Sequence, residues 1–192
     1  MKKTLQKQKI RCGWVSDDAI YRAYHDTEWG MPVHDDQKLF EAVVLDAFQA
    51  GLSWLTILKK RENFRKAFNN FDAKKIARYN EKKIASLMKD AGIIRNQLKI
   101  RATITNAQQF LQIQKEFGTF DKYIWQFVGG KPKINKWKTH KHLPSRSVES
   151  DAMSADMKAR GFKFVGSTIC YAFMQAVGMI NDHTVDCFRY RR

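Results

Sequence analysis

The chain has 192 residues, 44% of them hydrophobic, enough for one cored domain or two small lobes sharing a core. Its 35 Lys and Arg against 19 acids give a formal net charge of +16, which suggests a polyanionic partner, although a solvated basic surface without one satisfies the same arithmetic. Three cysteines exclude a disulfide framework, and no run reaches membrane-spanning length without a charge or Gln, so composition points to a soluble protein of a reducing, cytoplasmic compartment.

The start, "MKKTLQKQKIRCGW", is basic but has no apolar stretch behind it, so it does not read as a signal peptide; residues 1–10 are expected to be a flexible basic arm. Helical periodicity then dominates, and alternating strand patterns are nearly absent. The spacing predicts an all-α fold, with helices at about 17–28, 36–50, 53–68, 73–79, 81–90, 96–116, 121–128, 150–160 and 167–177. Ser53, Asp72 and Asn80 stand where helix caps are needed. Gly51, Gly92, Gly161 and Gly178 sit just past helix ends, where a left-handed residue is expected.

Within the second helix, "LFEAVVLDAFQAGLSW" (39–54) holds one residue out of place. Asp46 shares a helical face with Leu39, Val43 and Ala50, a face that should point inward. A carboxylate there costs free energy unless it is paired, hydrogen-bonded or protonated. Tyr21, His25 and Trp29 recur at four-residue spacing in the helix before it, with Tyr24 beside them, and either core packing or a cavity wall accounts for that face. Phe64, Phe68, Phe173, Met174 and Cys170 are expected in the core.

Further along, "LMKDAGIIRNQLKIRATITNAQQFL" (87–111) reads as two helices joined by a tight turn at Gly92. The second starts with free backbone N–H groups near Arg95, Lys99 and Arg101, which suits either a phosphate site or an ordinary helical hairpin. Residues 129–147 form a long Lys-rich polar stretch of unassigned role. His34, His140 and His142 have no partner at ligand spacing. Cys12 and His25 near one end, and His183 and Cys187 near the other, could form a closed Cys2His2 zinc site fastening the two ends; spacing alone leaves four unconnected residues equally open.

The blocks "RCGWVSDDAIYRAYHDTEWG", "QAGLSWLTILKKRENFRKAF", "DAGIIRNQLKI" and "RGFKFVGSTICYAFMQAVGMINDH", in this order, closely resemble the 3-methyladenine DNA glycosylase I family. The resemblance runs from about Arg11 to Cys187. It implies an all-α helix-hairpin-helix glycosylase with one structural zinc held by Cys12, His25, His183 and Cys187. It implies base-binding by Tyr21, Tyr24, Trp29 and Trp54, and DNA contacts from the wedge loop at Gly51 and Leu52 and from the hairpin residues Gly92, Arg95 and Lys99. The expected organisation is an arm at 1–10, a glycosylase unit at 11–187 and a basic tail at 188–192. Within the unit, about 11–52 plus 150–187 make a zinc-bearing lobe, and about 53–149 the hairpin lobe. The implied activity is monofunctional excision of 3-methyladenine from alkylated double-stranded DNA by a monomer, without strand cleavage. No acid occurs from Ala91 to Lys115, where many helix-hairpin-helix glycosylases carry a catalytic aspartate, so Asp46 is the candidate. The resembled family has a glutamate there, in the context Leu-Glu-Gly-Gln-Gln-Ala-Gly-Leu-Ser-Trp; this chain has the shorter acid, and Phe48 in place of a glutamine. The competing expectations are a glycosylase-like protein that binds alkylated DNA without excision, and a zinc-bearing helical DNA-binding regulator.

Overall fold

The computed structural model describes residues 9–190. All of the expected basic arm except Lys9 and Ile10, and the last two residues of the tail, lie outside the described residues. Where the ends are described they meet: the Phe188 N–H donates to the Ile10 carbonyl at 2.9 Å.

Among the described residues nine α-helices follow the periodicity: α1 (Ala19–Thr27), α2 (Asp36–Gln49), α3 (Trp54–Ala67), α4 (Ala73–Ile76), α5 (Glu81–Lys89), α6 (Gln97–Phe117), α7 (Phe120–Trp125), α8 (Val148–Ala159) and α9 (Ser167–Ala176). Their starts are set by side chains that accept the backbone N–H groups a first turn leaves unpaired. Ser53 accepts from the Thr56 N–H, Asp72 from Lys75 and Asn80 from Lys83. Asp35, Asn96 and Thr119 do the same for α2, α6 and α7.

Gly51, Gly161 and Gly178 adopt left-handed backbone, with φ of +79°, +93° and +72°. Gly92 does not, and the left-handed reason for it is corrected. Its surroundings are tight instead, because a Cβ at that position would lie 2.9 Å from Asp90 Oδ1 and 3.2 Å from Asn63 Cβ. The turn between α5 and α6 is held from outside: Lys60 Nζ donates to the carbonyls of Ala91 and Gly92, and the Gly92 N–H donates to Asp90.

The all-α expectation needs one amendment. Residues 129–147 are not a plain loop. Here β1 (Lys133–Ile134) pairs in parallel with β2 (Ile180–Asn181), Lys133 opposite Ile180. The Val185 N–H then donates to the Trp137 carbonyl at 2.9 Å. A two-residue pairing is too short to leave a period-2 pattern in the sequence.

α2 is the central member, packing against α3, α6, α7 and α9. Leu39, Phe40, Val44 and Phe48 on it are fully buried. Phe48 stacks edge-on against Phe64 at 4.7 Å, and Phe64, Phe68, Phe173, Met174 and Cys170 all lie in the core. No helix among the described residues is long and apolar enough to cross a membrane.

Gly178 carries the strictest backbone demand. A Cβ there would stand 2.3 Å from the Met31 carbonyl carbon and 2.4 Å from Pro32 N. Gly178→Ala should therefore destabilise the protein by more than about 3 kcal/mol in denaturant unfolding, whereas Gly51→Ala, left-handed but with open space around it, should cost only about 1–2 kcal/mol.

Candidate active site

α1 supplies one wall of the site and is fastened from behind by four buried side chains. The ligand atoms of Cys12, His25, His183 and Cys187 all lie within 4.8 Å of one another. Cys12 Sγ is 3.4 Å from His183 Nδ1, and Cys187 Sγ is 3.4 Å from His25 Nε2 and 3.5 Å from His183 Nδ1. Tetrahedral bonds of about 2.0–2.3 Å would place neighbouring ligands about 3.3–3.8 Å apart, so the set fits a metal ion.

The second nitrogen of each ring is engaged so as to turn the first toward the two thiols. His25 Nδ1 donates to Asp26 at 2.8 Å, and His183 Nε2 donates to the Trp29 carbonyl at 3.1 Å. Asp26 is in turn gripped by two Arg11 hydrogen bonds of 2.9 and 2.7 Å. The guanidinium, with smaller help from His25, holds that carboxyl down at about 2. Metal-ligating spacing and oriented tautomers therefore occur together.

In front of this cluster is a cavity of about 190 Å³. Tyr21, Tyr24 and Trp29 of the α1 region, Trp54 at the start of α3, and Asp46 of α2 all line it. The five residues singled out from the sequence for base binding and catalysis thus meet at one place. The Tyr24 and Trp54 rings are 5.5 Å apart and tilted by 57°, and Trp29 also packs edge-on against His183 at 4.6 Å, so it is both wall and anchor.

Asp46 is 2% exposed, and its Oδ2 has no hydrogen-bond partner among the described residues. Burial pushes its carboxyl well above the ordinary carboxylate range. The same burial, with Asp46 as the next contributor, pushes the Tyr24 hydroxyl up. Trp14 Nε1 and Trp54 Nε1 are also buried without partners, and both rings line this cavity. Of the five such atoms among the described residues, three converge here. Buried polar groups are normally satisfied, so a cluster of unsatisfied ones marks where something else supplies the partners. Phe48 does not intrude: it points into the aromatic core, away from the cavity.

Gly51 and Leu52 project just beyond α2, exposed and with nothing near the glycine. Gly92 forms the hairpin turn, and Arg95 beside it is exposed. Lys99 is a correction. The sequence reading makes it a DNA contact near the start of α6, but it is 6% exposed. Its ammonium donates to the carbonyls of Phe48 at 2.8 Å and Ala50 at 2.6 Å, which α2 leaves unpaired at its C-terminal end. Lys99 therefore holds the Gly51–Leu52 loop from beneath and is not spread on a phosphate-facing surface.

Six cavity residues went unnoticed in the sequence: Trp14, Gln49, Leu143, Ala172, Gln175 and Ala176. Trp14 sits two residues after Cys12 and had no periodic partner to mark it. Gln175 had a signal of the same kind as Asp46, a polar residue inside the apolar run "CYAFMQAV". Leu143 arrives from the 129–147 segment, which no local pattern could bring here.

A family model described as methyladenine glycosylase matches residues 14–190. The chain is 51% identical over 180 residues to DNA-3-methyladenine glycosylase 1 of Escherichia coli (strain K12), covering 94% of this chain and 96% of that protein. It is 46% identical over 177 residues to DNA-3-methyladenine glycosylase of Haemophilus influenzae, covering 92% and 96%. A crystal structure of 3-methyladenine DNA glycosylase I superposes with a TM-score of 0.93 at 47% identity, covering 95% of this chain and all of that one. A variant of 3-methyladenine DNA glycosylase I in complex with 3-methyladenine superposes at 0.92 with 34% identity, covering 95% and 98%.

The unpaired carboxyl has a measurable stability signature. A buried acid whose folded-state pKa is raised binds its proton more tightly than in the unfolded chain, so folding weakens as pH rises above the unfolded value. Asp46→Asn removes that penalty. Its melting temperature should exceed that of the wild type at pH 7, and the advantage should vanish below pH 3.8, the ordinary value. A lower melting temperature at pH 7 would show instead that the ionised carboxylate is a structural partner.

Proposed function

This chain belongs to the methyladenine glycosylase family, and from that premise we propose how its own residues carry out the reaction. It is a DNA-repair hydrolase that excises 3-methyladenine from alkylated DNA. The observation that carries the residue assignment is the convergence of Trp14 Nε1, Asp46 Oδ2 and Trp54 Nε1 on one aromatic-walled cavity.

An adenine alkylated at N3 is a cation, and its glycosidic bond is weak because the base departs neutral. The protein must turn the nucleotide out of the duplex, hold a cationic purine and admit water. Tyr21, Tyr24, Trp29 and Trp54 offer ring faces to the base, each worth about 0.5–2 kcal/mol more to a cation than to a neutral ring. Asp46 is the catalytic residue. A cationic base lowers its raised pKa, so substrate favours the carboxylate that then stabilises positive charge developing on the sugar, bonds the base or orients water. The product leaves without strand cleavage. Gly51 and Leu52 fill the gap in the base stack, and the Gly92 turn with Arg95, in a helix-hairpin-helix, holds the backbone. The two-lobe division, with the cavity between a metal-bearing part and a hairpin part, and a monomeric state belong to the same reading.

Cys12, His25, His183 and Cys187 would hold one zinc ion. With four protein ligands it would have no open position for water, and its chemistry would be structural. Its effect on the reaction is through α1: the residues flanking His25 are those that line the cavity.

Metal analysis of the purified protein should find one zinc per chain. Cys187→Ser should lower that content and the melting temperature together, while the fraction that remains folded keeps excising the base. Stoichiometric absence of zinc from active wild type would overturn the metal assignment.

Single-turnover release of free 3-methyladenine from methylated duplex tests the catalytic assignment. Asp46→Asn should bind damaged DNA but excise at least about tenfold more slowly, roughly 1.4 kcal/mol in the barrier. Asp46→Glu should keep or raise activity, since Phe48 faces the core and leaves the extra methylene its space. An Asn variant as fast as wild type would make Asp46 a structural acid.

A further inference from the structure

Asp182 is 1% exposed and meets no Lys, Arg or His partner among the described residues. Both of its oxygens are nonetheless filled. Oδ2 accepts from the Tyr171 hydroxyl at 2.6 Å and from Gln175 Nε2 at 2.7 Å. Oδ1 accepts from Asn135 Nδ2 and from Trp137 Nε1, each at 2.7 Å. Four neutral donors around one buried carboxylate make a saturated acceptor site, with nothing left for a ligand.

The consequence falls on Gln175. An amide can present either its N–H2 or its oxygen in a given direction, and the two are interchangeable unless a partner decides. A carboxylate accepts only, so Gln175 Nε2 is committed to Asp182. Oε1 therefore points the other way, and it has no hydrogen-bond partner among the described residues. Gln175 also lines the cavity, beside Tyr24, Trp54 and Asp46. Its backbone is fixed as well, because its carbonyl accepts from the Gly30 N–H at 3.0 Å.

We propose that Gln175 is a specificity-determining residue whose Oε1 accepts a hydrogen bond from the exocyclic amine of the extruded base, and that Asp182 is its positioning residue. The inference rests on the reading of this cavity as the base pocket. The amine of 3-methyladenine carries two N–H donors, and the cavity offers two unspent acceptors for them, Asp46 Oδ2 and Gln175 Oε1. A second, neutral acceptor lets the site read the amine without adding a second charge to a desolvated pocket, which would be costly. Asp182 does more than hold the amide. Through Asn135 and Trp137 it ties down the 129–147 segment, and Leu143 of that segment lines the same cavity.

The test uses the full-length protein and two probes, free 3-methyladenine and 3-methylpurine, which lacks the amine. Binding is read by tryptophan fluorescence. The wild type should prefer 3-methyladenine. Gln175→Leu should weaken 3-methyladenine about tenfold, the worth of about one hydrogen bond to a buried acceptor, and leave 3-methylpurine within about twofold. Asp182→Asn should lose the same preference with Gln175 intact, because Asn can offer an N–H to Gln175 and turn its amide over. Melting temperature and zinc content are recorded for both variants. If Asp182→Asn does not fold, Gln175→Leu alone decides. An equal loss for both probes would reduce Gln175 to packing, and no loss for either would overturn the proposal outright. A wild type that binds neither probe would overturn the reading of the pocket itself, and this inference with it.

Discussion

The α1 wall of the cavity depends on four side chains drawn from opposite ends of the chain. His25 follows Tyr24 directly and precedes Trp29 by one helical turn, so the helix that presents rings to the cavity presents an imidazole to the cluster behind it. Cys12 enters before α1, while His183 and Cys187 come more than 150 residues later. The link from Arg11 through Asp26 to His25 fixes the ring, and the Trp29 carbonyl fixes His183. α1 is also held by packing on α3, where Tyr24 and Leu58 share a small apolar cluster with Trp54, and by ion pairs from Lys59 to Asp18 and from Arg61 to Glu28, both partly in solvent, where such pairs are worth little. The position of the aromatic rings is therefore set from two sides, by the closure of the two chain ends and by packing on α3.

Two buried aspartates show how differently the same group can be used. Asp182 is surrounded by four donors and has become part of the framework. Asp46 sits on the central helix with an oxygen that nothing among the described residues satisfies. Burial is nearly identical for the two, so burial alone could not have told them apart. The partners tell them apart. A saturated acid orders its neighbours, and an unsatisfied one waits for a ligand. Gln175 lies between these two situations, with one end of its amide in the framework and the other in the cavity.

Much of the architecture was legible because local rules act locally. Ser53, Asp72 and Asn80 mark helix starts through bonds spanning three residues, and a pattern search sees that range well. The inward placement of Asp46 followed from the phase of its helix. What escaped was set by distant contacts. Nothing near Lys99 in the sequence shows that its ammonium reaches carbonyls about fifty positions earlier, so a buried clamp reads there as a DNA contact. Gly92 was given a backbone reason, whereas the structure shows tight surroundings, with Asn63 of α3 close by. The pairing of 133–134 with 180–181 is likewise invisible to periodicity, and with it the path by which Leu143 reaches the cavity.

The orphaned carboxyl of Asp46 also bears on how such a chain would change over generations. A substitution of Asp46 by an apolar residue of similar size would relieve an uncompensated buried polar atom and so raise stability. Most positions in a core drift against a stability gradient; this one would drift along it. A lineage released from the need to excise bases would therefore lose the acid early and keep the rest of the fold, aromatic wall and Cys2His2 closure included. On the proposed role of Asp46, an acid in this otherwise well-packed helix is a stability deficit that selection for the reaction would maintain.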